Sequence, residues 1–407
     1  MGICSKEIIY ALVLVLGSMT FGYVISYPAL ALLDIEAKWG IDSKSTQATF
    51  YNSITALIAI LGTFVCAFLL RYFGRRPTTS IIACFGTFSW GLLLTVRKEY
   101  FWFGIVCRGF LGLTIGAFSS IIPMYIVELA PPESSGFFGS LNQLGIAFGI
   151  VIVYLVGNWC DFRWTAVVGM CFTILLSILV WFIPESPAVT SGNNETNETP
   201  KGNIRQMKYA KPLFVCVMLM VFQQFCGINA ILTNLADLFQ TAGVNIEAGI
   251  ASAISSLAQV VSVFIGALLV DKLGRRMCWT LSFGLIVVSL SLYCASLKVN
   301  MGSIMPILIV FLYLLAFGLG AGAIPWFIVA EMFDSSVRHI AQSIVSASNW
   351  TLAFIVMTIF PYMREGLTDF WCFVIFDIIS AISVVFGMVY ITNQQPVADQ
   401  PLLYTEQ

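Results

Sequence analysis

Twelve stretches of mostly apolar residues account for more than half of this 407-residue chain. They run roughly over 8–33, 48–70, 78–96, 101–127, 137–157, 164–183, 213–236, 246–270, 277–297, 304–330, 340–362 and 368–392. A helix needs about 20 such residues to cross the hydrocarbon of a bilayer. No water reaches the backbone there, so each crossing must satisfy its own hydrogen bonds and reads as an α-helix. The ten-residue alternation of a membrane β-barrel is absent. Charged residues make up 10% of the chain and the mean hydropathy is +0.91. Soluble domains carry about 25% charged residues. So few charges cannot clothe a water-soluble body of this length, and lipid must be the solvent for much of the surface. The formal net charge of −1 gives no sign of a nucleic-acid partner.

The first apolar run starts at Ile8 and continues without a small-residue cleavage site, so it reads as a permanent span. Met1-Gly2 opens like a myristoylation signal, but Lys6 stands where Ser or Thr is required. Twelve Lys and Arg fall on the side of the N-terminus and the even-numbered loops, seven on the other, and Arg108 lies within a span. The positive-inside rule then predicts both termini in the cytoplasm; the expected location is the plasma membrane, as a multi-pass protein. Nine of the eleven cysteines fall in or beside spans, leaving Cys4 and Cys160 on opposite sides, so no disulfide framework is expected.

One long polar interruption, 184–212, divides the spans six and six. The predicted domains are an N-terminal six-helix bundle (1–183), a short cytoplasmic linker (184–212), a C-terminal six-helix bundle (213–392) and a short tail (393–407). Arg71-Tyr72-Phe73-Gly74-Arg75-Arg76 after the second span is matched, 200 residues on, by Asp271-Lys272-Leu273-Gly274-Arg275-Arg276 after the eighth. Pro123 to Glu128, ending span four, is matched by Pro325 to Glu331, ending span ten. Two motifs at near-equal offsets mark a duplication. Arginines in these tight loops can meet Glu128 and Glu331 at neighbouring helix ends, forming pairs that break when the halves tilt. The plainer reading is that they only fix topology. Pro184-Glu185-Ser186-Pro187 stops span six. Two Asn-x-Thr triplets, at Asn194 and Asn197, lie in the linker, where a cytoplasmic location leaves them unglycosylated.

Polar side chains inside spans are functional candidates. Here most are amides and indoles: Asn142, Gln143, Gln223, Gln224, Asn229, Gln259, Trp326, Asn349 and Trp350. On an unbroken helix Gln223 and Asn229 stand about 600° apart and share one side. Carboxamides both donate and accept, and indoles offer a flat apolar face with one donor. That set suits a neutral polyhydroxylated ring with C–H faces, and suits an ion or a hydrocarbon poorly. The alternative is that buried amides merely tie helices together. Gly112 and Gly116 form a small-x-x-x-small face in span four, read as close packing. The single histidine, His339, has no visible nucleophile or metal-ligating company, so the chain does not read as an enzyme and no cofactor is called for.

Taken together, these motifs resemble the sugar porter family of the major facilitator superfamily, and within it the facilitative hexose transporters. The residues that carry the likeness are Gly74-Arg75-Arg76, Asp271 to Arg276, Arg108-Gly109, Pro184 to Pro187, Leu141-Asn142-Gln143-Leu144-Gly145-Ile146, Gln223-Gln224 with Gly227-Ile228-Asn229, Pro325 to Glu331 and Ser348-Asn349-Trp350. The resemblance implies an all-α fold of twelve transmembrane helices in two pseudo-symmetric six-helix bundles. It implies sugar contacts from Gln143, Gln223, Gln224, Asn229, Trp326 and Asn349, a cavity wall at Trp350, and Gln259 where the family usually has Asn. It also implies a cytoplasmic gate built from Arg75, Arg76, Glu128, Glu185, Asp271, Arg275, Arg276, Glu331 and Arg338.

The chain departs from the family in several places. Thr233-Asn234 replaces a tyrosine pair, and Gly318 stands where mammalian facilitators carry Glu. Arg71, Ser135 and Ala188 replace an Asp and two Arg, so the N-half gate is expected to be weak and inward-facing states easier to reach. Proton-coupled members carry an Asp after Phe-Gly-Tyr; here Phe21-Gly22-Tyr23 is followed by Val24, which cannot hold a proton. The expectation is a uniporter for a hexose such as glucose or fructose, with the bilayer as its surroundings and no obligate protein partner. A proton-coupled sugar symporter, a carrier of a polyol or organic acid, and a transporter-like sugar sensor are the alternatives.

Overall fold

The computed structural model describes residues 5–41, 45–187, 204, 206–233, 248–299 and 305–391. Cys4, Ala188, both Asn-x-Thr triplets, Asn234, most of the linker and the tail lie outside the described residues. Twelve helices among those residues are long and apolar enough to cross a membrane. They are α1 (Lys6–Trp39), α2 (Thr46–Phe73), α3 (Arg75–Leu94), α4 (Lys98–Leu129), α5 (Pro132–Trp159), α6 (Phe162–Phe182), α7 (Met207–Leu232), α8 (Ser252–Leu273), α9 (Arg275–Lys298), α10 (Ile307–Met332), α11 (Ser336–Arg364) and α12 (Gly366–Tyr390). The protein is a multi-pass integral membrane protein.

Local chemistry explains the ends. Ser45 accepts from the Ala48 amide at the start of α2, and Asp161 accepts from the Arg163 and Trp164 amides at the start of α6. The sequence repeat becomes the same turn twice: Gly74 joins α2 to α3 at φ 74°, and Gly274 joins α8 to α9 at φ 85°. A side chain is strained at such angles, which is why glycine precedes both Arg-Arg pairs.

Two spans are broken where the motif residues sit. Helix α7 stops at Phe225, turns through Gly227 at φ 90°, and resumes at Ile228–Thr233. Gln223 and Asn229 are therefore not six residues apart on one regular helix. The angular count made on an unbroken span fails there, and their proximity comes from the turn. Helix α10 loosens into a π-helical turn over Phe317–Ala321 before Ile324–Met332. Glycines at 318, 320 and 322 and the missing N–H of Pro325 weaken the ladder there.

Close packing sets the frame. A Cβ on Gly112 would lie 2.4 Å from the Thr55 carbonyl oxygen, and one on Gly116 would lie 2.0 Å from that of Ala59. The small-residue face of α4 thus lets α2 approach backbone to backbone. The first six helices meet the last six where α5 packs on α8, α2 on the Ser335–Tyr390 stretch, and α4 and α5 on the end of α10. The outer surface keeps large apolar side chains such as Phe64, Phe88, Ile178, Phe264 and Val385 exposed, as a lipid-facing wall requires.

Candidate functional site

Between the two sets of six helices lies a cavity. All eight residues marked as sugar contacts line it: Gln143, Gln223, Gln224, Asn229, Gln259, Trp326, Asn349 and Trp350. They come from α5, both pieces of α7, α8, α10 and α11, so the site exists only when the halves are together. Sequence reasoning missed its apolar wall, chiefly Phe21, Ile25, Ile146 and Ile150. Nothing in an apolar helix marks which phenylalanine faces a cavity.

The amides divide by what they already bind. Gln223 is saturated: its Nε2 donates to the carbonyls of Ala321 and Gly322 at 2.8 and 3.1 Å, and its Oε1 accepts from Asn349 Nδ2 at 2.9 Å. It splints the loosened turn of α10 and ties α7 to α11. Gln224 Oε1 accepts from Asn229 Nδ2 at 2.6 Å, joining the two pieces of α7 across the Gly227 turn. The Gln143 side chain makes no hydrogen bond among the described residues, and the Oε1 of Gln259 is buried without a partner there. Those two amides remain available to a ligand. Asn142 does not line the cavity: its Oδ1 accepts from Ser18 Oγ at 2.8 Å.

An aromatic floor completes the chamber. Phe21 stands edge-on to Trp326 at 5.8 Å between ring centroids and tilted over Trp350 at 5.0 Å. The Trp350 indole N–H is already spent on Ser119 Oγ across the halves, at 3.0 Å. Gly318 is close-packed: a Cβ there would lie 1.9 Å from Ser262 Oγ, so the carboxylate that mammalian facilitators carry has no room here.

At the end of the bundle bearing the Gly-Arg-Arg loops, the paired motifs form two ion-pair clusters. Arg75 grips Glu128 through Nε and NH2, both at 3.0 Å, and Ser186 Oγ adds a 2.6 Å hydrogen bond to the same carboxylate. Arg275 pairs with Glu331 at 2.6 Å and with Asp271 at 2.9 Å. Glu185 instead accepts from the backbone amides of Arg75 and Arg76 at the start of α3, while Arg76 lies 5.3 Å from the Trp181 ring. These serve the N-half's own packing. Arg276 is exposed at the start of α9.

Several contacts cross between the halves at this end. Arg338 NH1 lies 3.6 Å from Glu128, and Asp271 accepts from the Gly136 and Phe137 amides at the start of α5, at 3.1 and 2.7 Å. Ser135 Oγ donates to Glu331 at 2.7 Å and accepts from Arg275 NH2 at 3.2 Å. The expected weakness of the N-half is thus partly made good: Ser135 remains in the lock through its hydroxyl. Arg71, the counterpart of Asp271, is exposed beside Tyr72 and takes no part in it.

Two helical halves around a polar chamber, joined at one end by ion pairs, make up the major facilitator fold. The chain has the fold of the proton:xylose symporter XylE bound to 6-bromo-6-deoxy-D-glucose, with a TM-score of 0.82 at 20% identity over 94% of this chain and 95% of that one. It matches the family described as "Sugar (and other) transporter" over residues 10–205 and 190–395. It is 31% identical to sugar transporter ERD6-like 1 of Arabidopsis thaliana over 92% of this chain and 88% of that protein. It is 27% identical to the mouse (Mus musculus) facilitated glucose transporter member 8 of solute carrier family 2, over 92% and 88%. The chain belongs to the sugar transporter family: it carries sugar across a membrane and is not an enzyme.

Proposed function

We propose that the protein is a uniporter that equilibrates a hexose-like sugar by alternating access, the halves 1–183 and 213–392 rocking about the cavity. One observation carries this reading: the cavity is walled by carboxamides, indoles and apolar groups, and among the described residues none that lines it is acidic or basic. A neutral sugar can exchange hydroxyl hydrogen bonds with Gln143, Gln224, Asn229 and Gln259 while its C–H face lies on Trp326. No lining group is there to carry a proton with it. The arginine end is read as cytoplasmic on the excess of Lys and Arg on that side, and the membrane is proposed to be the plasma membrane. The cross-half contacts of Arg338, Asp271 and Ser135 keep the cytoplasmic end closed until the halves tilt.

The test is uptake of labelled glucose, fructose and trehalose into proteoliposomes with and without a pH gradient. Uniport of a hexose predicts equilibration of glucose or fructose to equal concentrations, unaffected by the gradient. Accumulation that follows the gradient, with alkalinisation in step with uptake, would replace this reading by proton symport.

A further inference from the structure

Arg108 is buried in α4, 1% exposed, and belongs to no ion pair among the described residues. Its guanidinium lies 5.8 Å from the Tyr27 ring and 5.6 Å from the Tyr51 ring. Its NH1 donates to the Val24 carbonyl at 2.8 Å and its Nε to that of Tyr51 at 3.4 Å. A permanently charged group is costly to bury unless something in the dry interior needs it.

The primary structure shows what needs it. In an α-helix the carbonyl of residue i accepts from the amide of residue i+4. Four residues after Val24 comes Pro28, inside α1, with no amide hydrogen to give. The Val24 carbonyl is therefore orphaned by its own helix, in a bundle core where Val24 itself is 0% exposed. Buried away from water, such an oxygen must find another donor. The contact from Arg108 is that donor.

We propose that Arg108 is a positioning residue whose task is to satisfy the carbonyl that Pro28 leaves open, holding α1 at that turn against α4. The cavity residues Phe21 and Ile25 flank Val24 along α1, so the contact also fixes how far they project into the chamber. Tyr27 supports the arrangement: its ring covers the guanidinium, and its hydroxyl donates to the Phe162 carbonyl at 2.7 Å, anchoring the same turn to α6. A backbone carbonyl does not exchange protons in water's range, and a guanidinium stays charged. The contact is thus a fixed strut that persists through the transport cycle.

The test is a cycle of Arg108→Leu, Pro28→Ala and the double variant, read by thermal unfolding of the purified protein and by sugar uptake. Only the uptake arm rests on the transport reading; the thermal arm needs no sugar. Alanine at 28 restores the missing amide, so Pro28→Ala keeps near-native uptake. Arg108→Leu strands the carbonyl and should lower Tm by several degrees and uptake by about tenfold. Adding Pro28→Ala to Arg108→Leu should return most of both losses, and Arg108→Lys, with one donor group, should fall between. If Arg108→Leu does not accumulate as folded protein, recovery of folded yield in the double variant is the readout. A double variant no better than Arg108→Leu in Tm, yield and uptake overturns the proposal.

Discussion

Ser135 Oγ on α5 donates to Glu331 Oε1 on α10 at 2.7 Å, so a neutral hydroxyl bridges the two halves at a point where the resemblance calls for an arginine. The same hydroxyl accepts from Arg275, which makes Ser135 the N-half's entry into the C-half charge cluster. Its pseudo-symmetric counterpart, Arg338, approaches Glu128 only to 3.6 Å. Both contacts in this lock act beside the grip of Asp271 on the Gly136 and Phe137 amides.

Removing the Ser135 hydroxyl should loosen that lock. A hydrogen bond to a charged group contributes about 1.5–3 kcal/mol net. Ser135→Ala should therefore raise the population open at the arginine end by about tenfold. Maleimide labelling of Ser346→Cys, on the interface below the cavity, reads this once the exposed Cys84, Cys160 and Cys171 are replaced. Ser135→Thr keeps the hydroxyl and should label like the parent; equal labelling of Ser135→Ala would show that the contact holds nothing.

Gln224 offers a separate test of the chamber. Its Oε1 holds Asn229 across the Gly227 turn, so Gln224→Ala removes one cavity amide and releases another. The KM for the transported sugar should rise about tenfold, the cost of roughly one good hydrogen bond. Initial uptake rates over a range of sugar concentrations measure it. An unchanged KM takes Gln224 out of the site.

Much of this was legible in the sequence because lipid allows so few solutions. Runs of apolar residues can only be spans, and the duplicated Gly-Arg-Arg and Glu motifs announce two halves that meet alike. The amides stood out because hydrocarbon penalises them. What stayed hidden was whatever depends on breaks in regular helix. The Gly227 turn, not helical periodicity, brings Asn229 to Gln224, and the loosened α10 consumes the amide of Gln223. Phe21 gave no sign of facing the cavity, being apolar among apolar residues, and Ser135 read only as a lost charge because a sequence does not show where a hydroxyl will bond.

Between α10 and α11, Asp334 accepts hydrogen bonds from the Tyr209 hydroxyl and from Lys208 Nζ. These two donors, the tyrosine foremost, hold its carboxyl below the usual range. A depressed native pKa means that the contribution to stability is complete above the unfolded value, about 3.9. It drains away as pH falls through the native value. Tyr209→Phe removes the larger cause, so its Tm deficit should be present at neutral pH and shrink on acidification. Thermal unfolding at neutral and acidic pH checks this; a deficit independent of pH would mean that the hydroxyl acts by packing alone.

Val24 bears on coupling most directly. It is fully buried, its carbonyl already within 2.8 Å of Arg108, and among the described residues no acidic side chain joins them. Val24→Asp would set a carboxylate beside that guanidinium. When ionised, the carboxylate should draw the guanidinium off the backbone carbonyl it serves and loosen that strut; when protonated, the pull falls away. Uptake by Val24→Asp should therefore be slow at neutral pH and rise as the pH is lowered, while the parent protein stays flat over the same range. Parallel pH profiles for variant and parent would mean that an acid at this position does not govern the cycle. A parent rate that itself rose with acidity would place the coupling proton elsewhere and end the uniport reading.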